Sequence, residues 1–312
     1  MPIRSTFGAF FLVAASSLGA VHVASAQATA HTGVSVPPPA KMPQAVIADP
    51  APDAKFPARM EVIHVPTGGI AVNGIALVPS GPGPHPTFVL FHGLPGNEKN
   101  LDLAQAVRRA GWVVVTINYR GSWGSPGSYR FAQNLEDARA TLAFIRDAAT
   151  AEKLGVDTQR IVVGGHSMGG WVTLHIAAAD TGILGAVTIS AGDLGAFGLS
   201  AQHDRAAAVA RMKDNMESLA DVTPETMTDE LVAHANEWSF DSLAPKLTGA
   251  RLLVLYSADF VQADSENLIA KVASAGGKRL DSAYVATDHS WSDRRLQLQA
   301  LVIDWLESLR AR

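Results

Sequence analysis

Ile161-Val162-Val163-Gly164-Gly165-His166-Ser167-Met168-Gly169 carries a short β-branched run through glycines into a helical pattern that continues to Ala179. Gly-x-Ser-x-Gly at the end of a buried strand makes a sharp turn that thrusts the serine hydroxyl above a sheet. The glycines leave room for strand and helix backbones to approach each other. Such a pattern is common by chance, and its position between strand and helix is what gives it meaning.

Working outward, the apolar runs Thr87 to Phe91, Trp112 to Ile117, Leu184 to Ile189 and Leu252 to Tyr256 lack alternation. That is the signature of strands covered on both faces, as in a parallel sheet. Helical spacing of apolar residues occurs over Leu101 to Ala110, Leu135 to Ala149, Ser265 to Ala275 and Leu296 to Leu309. Two alternating segments, Glu61 to Pro66 and Ile70 to Val78, precede them, and Ser282 to Ala286 supplies a last strand. Strand and helix in rotation predict an α/β fold with a doubly wound, mostly parallel sheet and right-handed crossovers. The rhythm breaks between Ala191 and Ala250, where Ala206 to Leu219 and Thr226 to Trp238 read as helices of an insertion over one end of the sheet.

A serine hydroxyl is a poor nucleophile at neutral pH and needs a base, which in turn needs an orienting acid. Of ten histidines, His22 and His31 precede the domain, His203 and His234 fall in the insertion, and His166 is directed away from the serine by strand-turn geometry. His289, in Thr287-Asp288-His289-Ser290-Trp291 before the final helix, is the candidate base. Asp259 follows the Leu252 to Tyr256 strand by three residues and is the candidate acid, with Asp193 and Asp264 as alternatives. Asp288, adjacent to His289, would have to fold back to reach the ring. An oxyanion formed by attack on a carbonyl needs two donors. The backbone N–H groups of Met168 and of Leu94, in the loop His92-Gly93-Leu94-Pro95-Gly96-Asn97, are the candidates.

These segments, together with Asn118-Tyr119-Arg120-Gly121-Ser122, resemble the serine α/β-hydrolase superfamily over residues 60–312. Within it the chain is similar to the branch shared by prolyl-oligopeptidase-type peptidases and dienelactone-hydrolase-like esterases. The resemblance implies acyl-group hydrolysis through Ser167, His289 and Asp259, with the oxyanion at Leu94 and Met168. In two places the chain departs from that pattern: Ser257 stands where glycine is usual two residues before the acid, and Ala263 where a proline often follows it.

Composition narrows the class. The 312 residues are 47% hydrophobic, enough for a sizeable core, and 25 basic against 29 acidic residues offer no stripe for phosphate, so no nucleic-acid partner is expected. Absence of cysteine removes disulfides, thiolate nucleophiles and thiolate metal sites. No His/Asp/Glu cluster has metal-ligand spacing and no lysine follows the Gly/Ser-rich segment 120–127 at P-loop spacing, so neither cofactor nor metal is expected. Glu136 and Asp137 are read as complementing a helix dipole. Arg4, the apolar stretch Phe7 to Ala15 and Ala24-Ser25-Ala26 form a signal-peptide pattern over residues 1–26, predicting export, secreted or periplasmic, without stable membrane insertion after cleavage. Residues 27–59 hold seven prolines and read as an extended, solvated leader. The expectation is an exported serine hydrolase acting on small-molecule esters. A peptidase with the same residues and an inactive binding protein on the same fold are the alternatives. Its selectivity should lie in the 191–250 insertion, acting as a cap.

Overall fold

The structure, a computed structural model, describes residues 36–310. The signal-peptide pattern and the first part of the leader lie outside the described residues. The strands are β1 (Arg59–Thr67), β2 (Ile70–Val78), β3 (His85–Phe91), β4 (Val113–Ile117), β5 (Val156–His166), β6 (Gly185–Ile189), β7 (Leu252–Ser257) and β8 (Leu280–Val285). The helices are α1 (Gln44–Ile47), α2 (Leu101–Arg109), α3 (Phe131–Arg146), α4 (Ala148–Leu154), α5 (Met168–Ala179), α6 (Leu194–His203), α7 (Arg205–Lys213), α8 (Pro224–Ala233), α9 (Phe240–Leu243), α10 (Gln262–Ser274) and α11 (Arg295–Arg310).

All eight strands join one sheet in the order β1-β2-β4-β3-β5-β6-β7-β8. β1 and β2 pair antiparallel, β2 meets β4 antiparallel, and the remaining neighbours are parallel. β3 and β6 are buried along nearly their whole length, which explains their unbroken apolar sequence, whereas the edge strand β1 alternates, with Ile63, Val65 and Thr67 turned inward. Side chains of α3, α5, α8 and α10 fill the core on one face, and those of α2 and α11 fill the other.

The leader is not wholly solvated. Val36, Met42 and Ala45 pack on the α2/α11 side and Val46 is buried there. The Val36 N–H donates to Tyr284 O on β8 (2.7 Å), Gln297 Nε2 donates to Val36 O (2.6 Å), and Arg109 Nε donates to Ala45 O (2.6 Å). A few apolar side chains between the prolines were enough to dock this segment, which corrects the composition-based reading for residues 36–47. Glu136 and Asp137 are corrected as well. They sit past the first turn of α3 and ion-pair with Arg120, whose Nε lies 2.7 Å from Asp137 Oδ1. Thr67 Oγ1 and Arg120 N complete the buried Asp137 carboxylate at 2.9 and 2.8 Å. The pair ties the end of β1 to the loop after β4.

Candidate active site

β5 runs into α5 through Ser167, whose backbone lies at φ 56°, ψ −123°. A non-glycine residue at positive φ is strained, and the strain holds the hydroxyl out of the turn. Gly165 makes the turn possible, because a Cβ there would fall 2.1 Å from Gly169 O. The opposing loop is admitted by Gly93, whose missing Cβ would sit 2.9 Å from Ser167 Cβ. Met168 opens α5, where amides have no partner within the helix and face the positive end of its dipole. Its side chain is pinned from below by Tyr129 Oη at 3.0 Å and Asn134 Nδ2 at 3.4 Å from the sulfur.

Asp259 and His289 come together from the ends of β7 and β8, His289 Nδ1 lying 2.8 Å from Asp259 Oδ2. The Asp259 side chain is only 3% exposed. Burial alone would raise its carboxyl, but hydrogen bonds from His289, Ser257 and the Val261 amide outweigh it and hold it below the ordinary value. Because the carboxylate accepts at Nδ1, Nε2 is left with its lone pair. The alternative acids have other partners. Asp193 caps α6 through the Ala196 N–H (3.0 Å) and also receives the Phe240 N–H (2.9 Å). Asp264 accepts from the Asp193 N–H (3.0 Å), and burial with the nearby charges of Asp193 and Asp259 pushes its carboxyl up to about 6. Asp288 accepts from the Ser292 N–H within its own loop.

Ser167, Met168 and Leu94 line one cavity of about 150 Å³, with Phe197, Leu231 and Phe260 among its apolar walls. Phe260 connects this cavity to the Asp259–His289 pair, its ring centroid 4.6 Å from that of His289. The Ser167 side chain makes no capping hydrogen bond to α5, the helix it precedes.

His166, expected to point away from the serine, braces the loop that carries His289. Nε2 lies 2.8 Å from His289 O and the two rings are 4.7 Å apart. Burial, then the neighbouring His289, pushes the His166 ring down to about 3, so it stays neutral and sets position without adding charge. Sequence reasoning also missed Phe260, and Phe197 and Arg211 from the insertion. Their only signal was proximity to a candidate residue or membership of the insertion. Among the described residues no cluster of ligating side chains could hold a metal ion, and no helix is long and apolar enough to cross a membrane.

With this geometry in view, comparison by sequence is decisive on ancestry: the profile of the alpha/beta hydrolase family matches residues 88–302. The chain belongs to that family. Solved structures share the fold at low identity. Brefeldin A esterase, a bacterial homologue of human hormone sensitive lipase, has TM-score 0.61 at 18% identity, with 86% of this chain and 83% of that chain covered. An esterase from Pyrobaculum calidifontis has TM-score 0.58 at 18% identity, covering 83% and 88%. Pyrococcus horikoshii acylaminoacyl peptidase has TM-score 0.60 at 17% identity, covering 80% of this chain but only 41% of the peptidase. The chain therefore spans less than half of that enzyme. No curated protein matches the sequence.

Proposed function

We propose that this alpha/beta hydrolase cleaves carboxylic esters through an acyl-enzyme formed on Ser167, with His289 as base and Asp259 as its orienting acid. The observation that carries this reading is a strained Ser167 turn on an apolar cavity whose wall residue Phe260 packs beside His289 of the 2.8 Å Asp259–His289 pair. Ser167 Oγ attacks the carbonyl as its proton passes to His289 Nε2, and the amides of Met168 and Leu94 receive the oxyanion. Collapse expels the alcohol, which takes the proton from His289, and water repeats the cycle to release the acid. The apolar walls suit a hydrocarbon acyl group. Arg211 and Asn215 also line the cavity and favour peptides as the second reading, since both can donate to a carbonyl. We further propose export, supported by the pattern of Arg4, Phe7 to Ala15 and Ala24-Ser25-Ala26, with a mature start near Gln27.

The test is labelling with a fluorophosphonate followed by assay against p-nitrophenyl esters of graded length and aminoacyl anilides. Covalent modification of Ser167 with ester turnover is expected. An unmodified Ser167 in folded protein would leave the inactive binding protein as the better account, and faster anilide cleavage would favour the peptidase.

A further inference from the structure

Ser257, the last residue of β7, stands where the related pattern has glycine, and its side chain is fully buried. Its hydroxyl donates to Asp259 Oδ2 at 2.7 Å and lies 2.8 Å from the hydroxyl of Ser190, the residue after β6. Ser190 Oγ in turn receives Trp291 Nε1 at 3.1 Å. All three side chains are excluded from solvent.

Proton counting fixes the direction of every bond. An ionised carboxylate only accepts, so the single Ser257 proton is committed to Asp259. Ser257 can then only accept from Ser190, and an indole N–H only donates. The order is Trp291 to Ser190 to Ser257 to Asp259, with His289 Nδ1–H donating to the same Oδ2 from the other side. Trp291 is two residues beyond His289, so the path closes on the loop that carries the base. Ser190 at φ 45° and Trp291 at φ 58° both sit in the left-handed region, which bulky Trp rarely adopts. Such strain persists where surrounding contacts over-determine it.

We infer that Ser257, Ser190 and Trp291 form a closed hydrogen-bonded circuit that positions His289 by orienting Asp259, and that the Ser257 hydroxyl sets the pH range in which His289 serves as base. The inference rests on the reading of His289 as the base. With Val261 N–H on Oδ1 at 2.9 Å and two donors on Oδ2, the Asp259 carboxylate has no free rotation. Donors in series polarise one another, and the Ser257 proton draws charge away from the oxygen that faces the imidazole. Without it, Asp259 holds more charge toward His289 and favours the imidazolium. The other titratable groups around the ring are His166 across its face, Asp264 on α10 and Asp193 before α6 beyond Asp259, and Asp288 and Arg295 from its own loop and α11. None of them touches Ser257 in this circuit.

The test compares wild type with Ser257→Ala, Ser257→Gly and Trp291→Phe by pH-dependent ester kinetics and by the downfield NMR resonance of the His289 Nδ1 proton. For Ser257→Ala, loss of a hydrogen bond to a charged group should lower kcat about 10- to 100-fold. KM should stay within about twofold, since ground-state binding is untouched. The acid limb of the kcat/KM profile should move up by about half a pH unit. Ser257→Gly should behave as Ser257→Ala does, and Trp291→Phe should move kcat and the acid limb in the same directions, with kcat down about threefold and KM again within about twofold. A kcat loss with a fixed acid limb, or no change in either, overturns the inference. Should Ser257→Ala not fold, Trp291→Phe decides by the same criteria. Should the wild type cleave no ester, the proposed function fails separately, and the circuit is judged on the proton resonance alone: a shift in the variants supports it, an unmoved signal overturns it.

Discussion

The two sides of the region around Ser167, here called its walls, are built on opposite principles. On the sheet side, Asp259, His289 and His166 are fixed by half-buried hydrogen bonds between strand ends. On the insertion side, Phe197, Met212 and Leu231 from α6, α7 and α8 meet the cavity with apolar surface. Hydrogen bonds fix direction, whereas apolar packing fixes volume. The first wall is therefore suited to chemistry and the second to selection among acyl groups. The insertion is not a detachable cap, however. Trp238 is buried against Trp171 of α5 (ring centroids 5.1 Å apart), and Glu230 of α8 accepts the Phe131 and Ala132 N–H groups at the start of α3. Replacing residues 198–238 by a linker would uncover the core, so the division is better tested by single substitutions.

The largest effect belongs to the sheet side. Ser167→Ala and His289→Ala should each lower ester kcat by about 10³-fold or more, and Asp259→Asn by about 10²- to 10⁴-fold, with thermal midpoints close to wild type. Activity within tenfold of wild type in any folded variant of this group would break the comparison. Next comes the insertion side, where Phe197→Ala enlarges the cavity. Relative kcat/KM for longer over shorter acyl chains should rise about tenfold while acetate ester kcat is retained, read from a graded p-nitrophenyl series. An unchanged chain-length profile would remove the insertion from selectivity.

Smaller effects sharpen the boundary between the two walls. Glu230→Ala leaves the first amides of α3 without their acceptor and should cost about 1–2 kcal/mol in urea unfolding, without changing the order of ester preference. The smallest is a pH effect at Asp264. Its carboxyl is pushed up to about 6 in the folded protein from an ordinary 3.8, so the native state binds the proton more tightly than the unfolded chain does. Its penalty is absent below the unfolded value, grows as pH rises, and is complete above about 6. Asp264→Asn should therefore raise the thermal midpoint at pH 8 and leave it unchanged at pH 4, with kcat nearly preserved. A variant stabilised equally at both pH values would contradict this sign.

Much of this arrangement can be read from local sequence. All eight strands were placed, because buried parallel strands such as Phe88-Val89-Leu90 cannot be mistaken for alternating edges. What escaped was non-local. α3 begins at Phe131 rather than Leu135, because its first amides are capped by Glu230, about a hundred residues away. α6 was missed because Gly195 and Gly198 resemble a loop. They serve instead as flat surfaces, a Cβ on Gly198 falling 2.1 Å from Leu231 O. At the site, chain order pointed to Ser167, Asp259 and His289, since each follows a strand. The contact of His166 with the His289 loop was not legible, because strand-turn geometry says where a side chain starts and not which distant loop will come to meet it.

The docked leader carries a consequence for the open edge of the sheet. Val36 donates its N–H to Tyr284 O of β8 and accepts from Gln297 of α11, so a segment that precedes the sheet in sequence covers part of the edge strand farthest from β1. Val36, Met42 and Val46 bury apolar surface against α2 and α11, and β8, which within the sheet has only β7 beside it, gains a neighbour at Tyr284. Residues 36–47 thus fasten β8, α2 and α11 to one another.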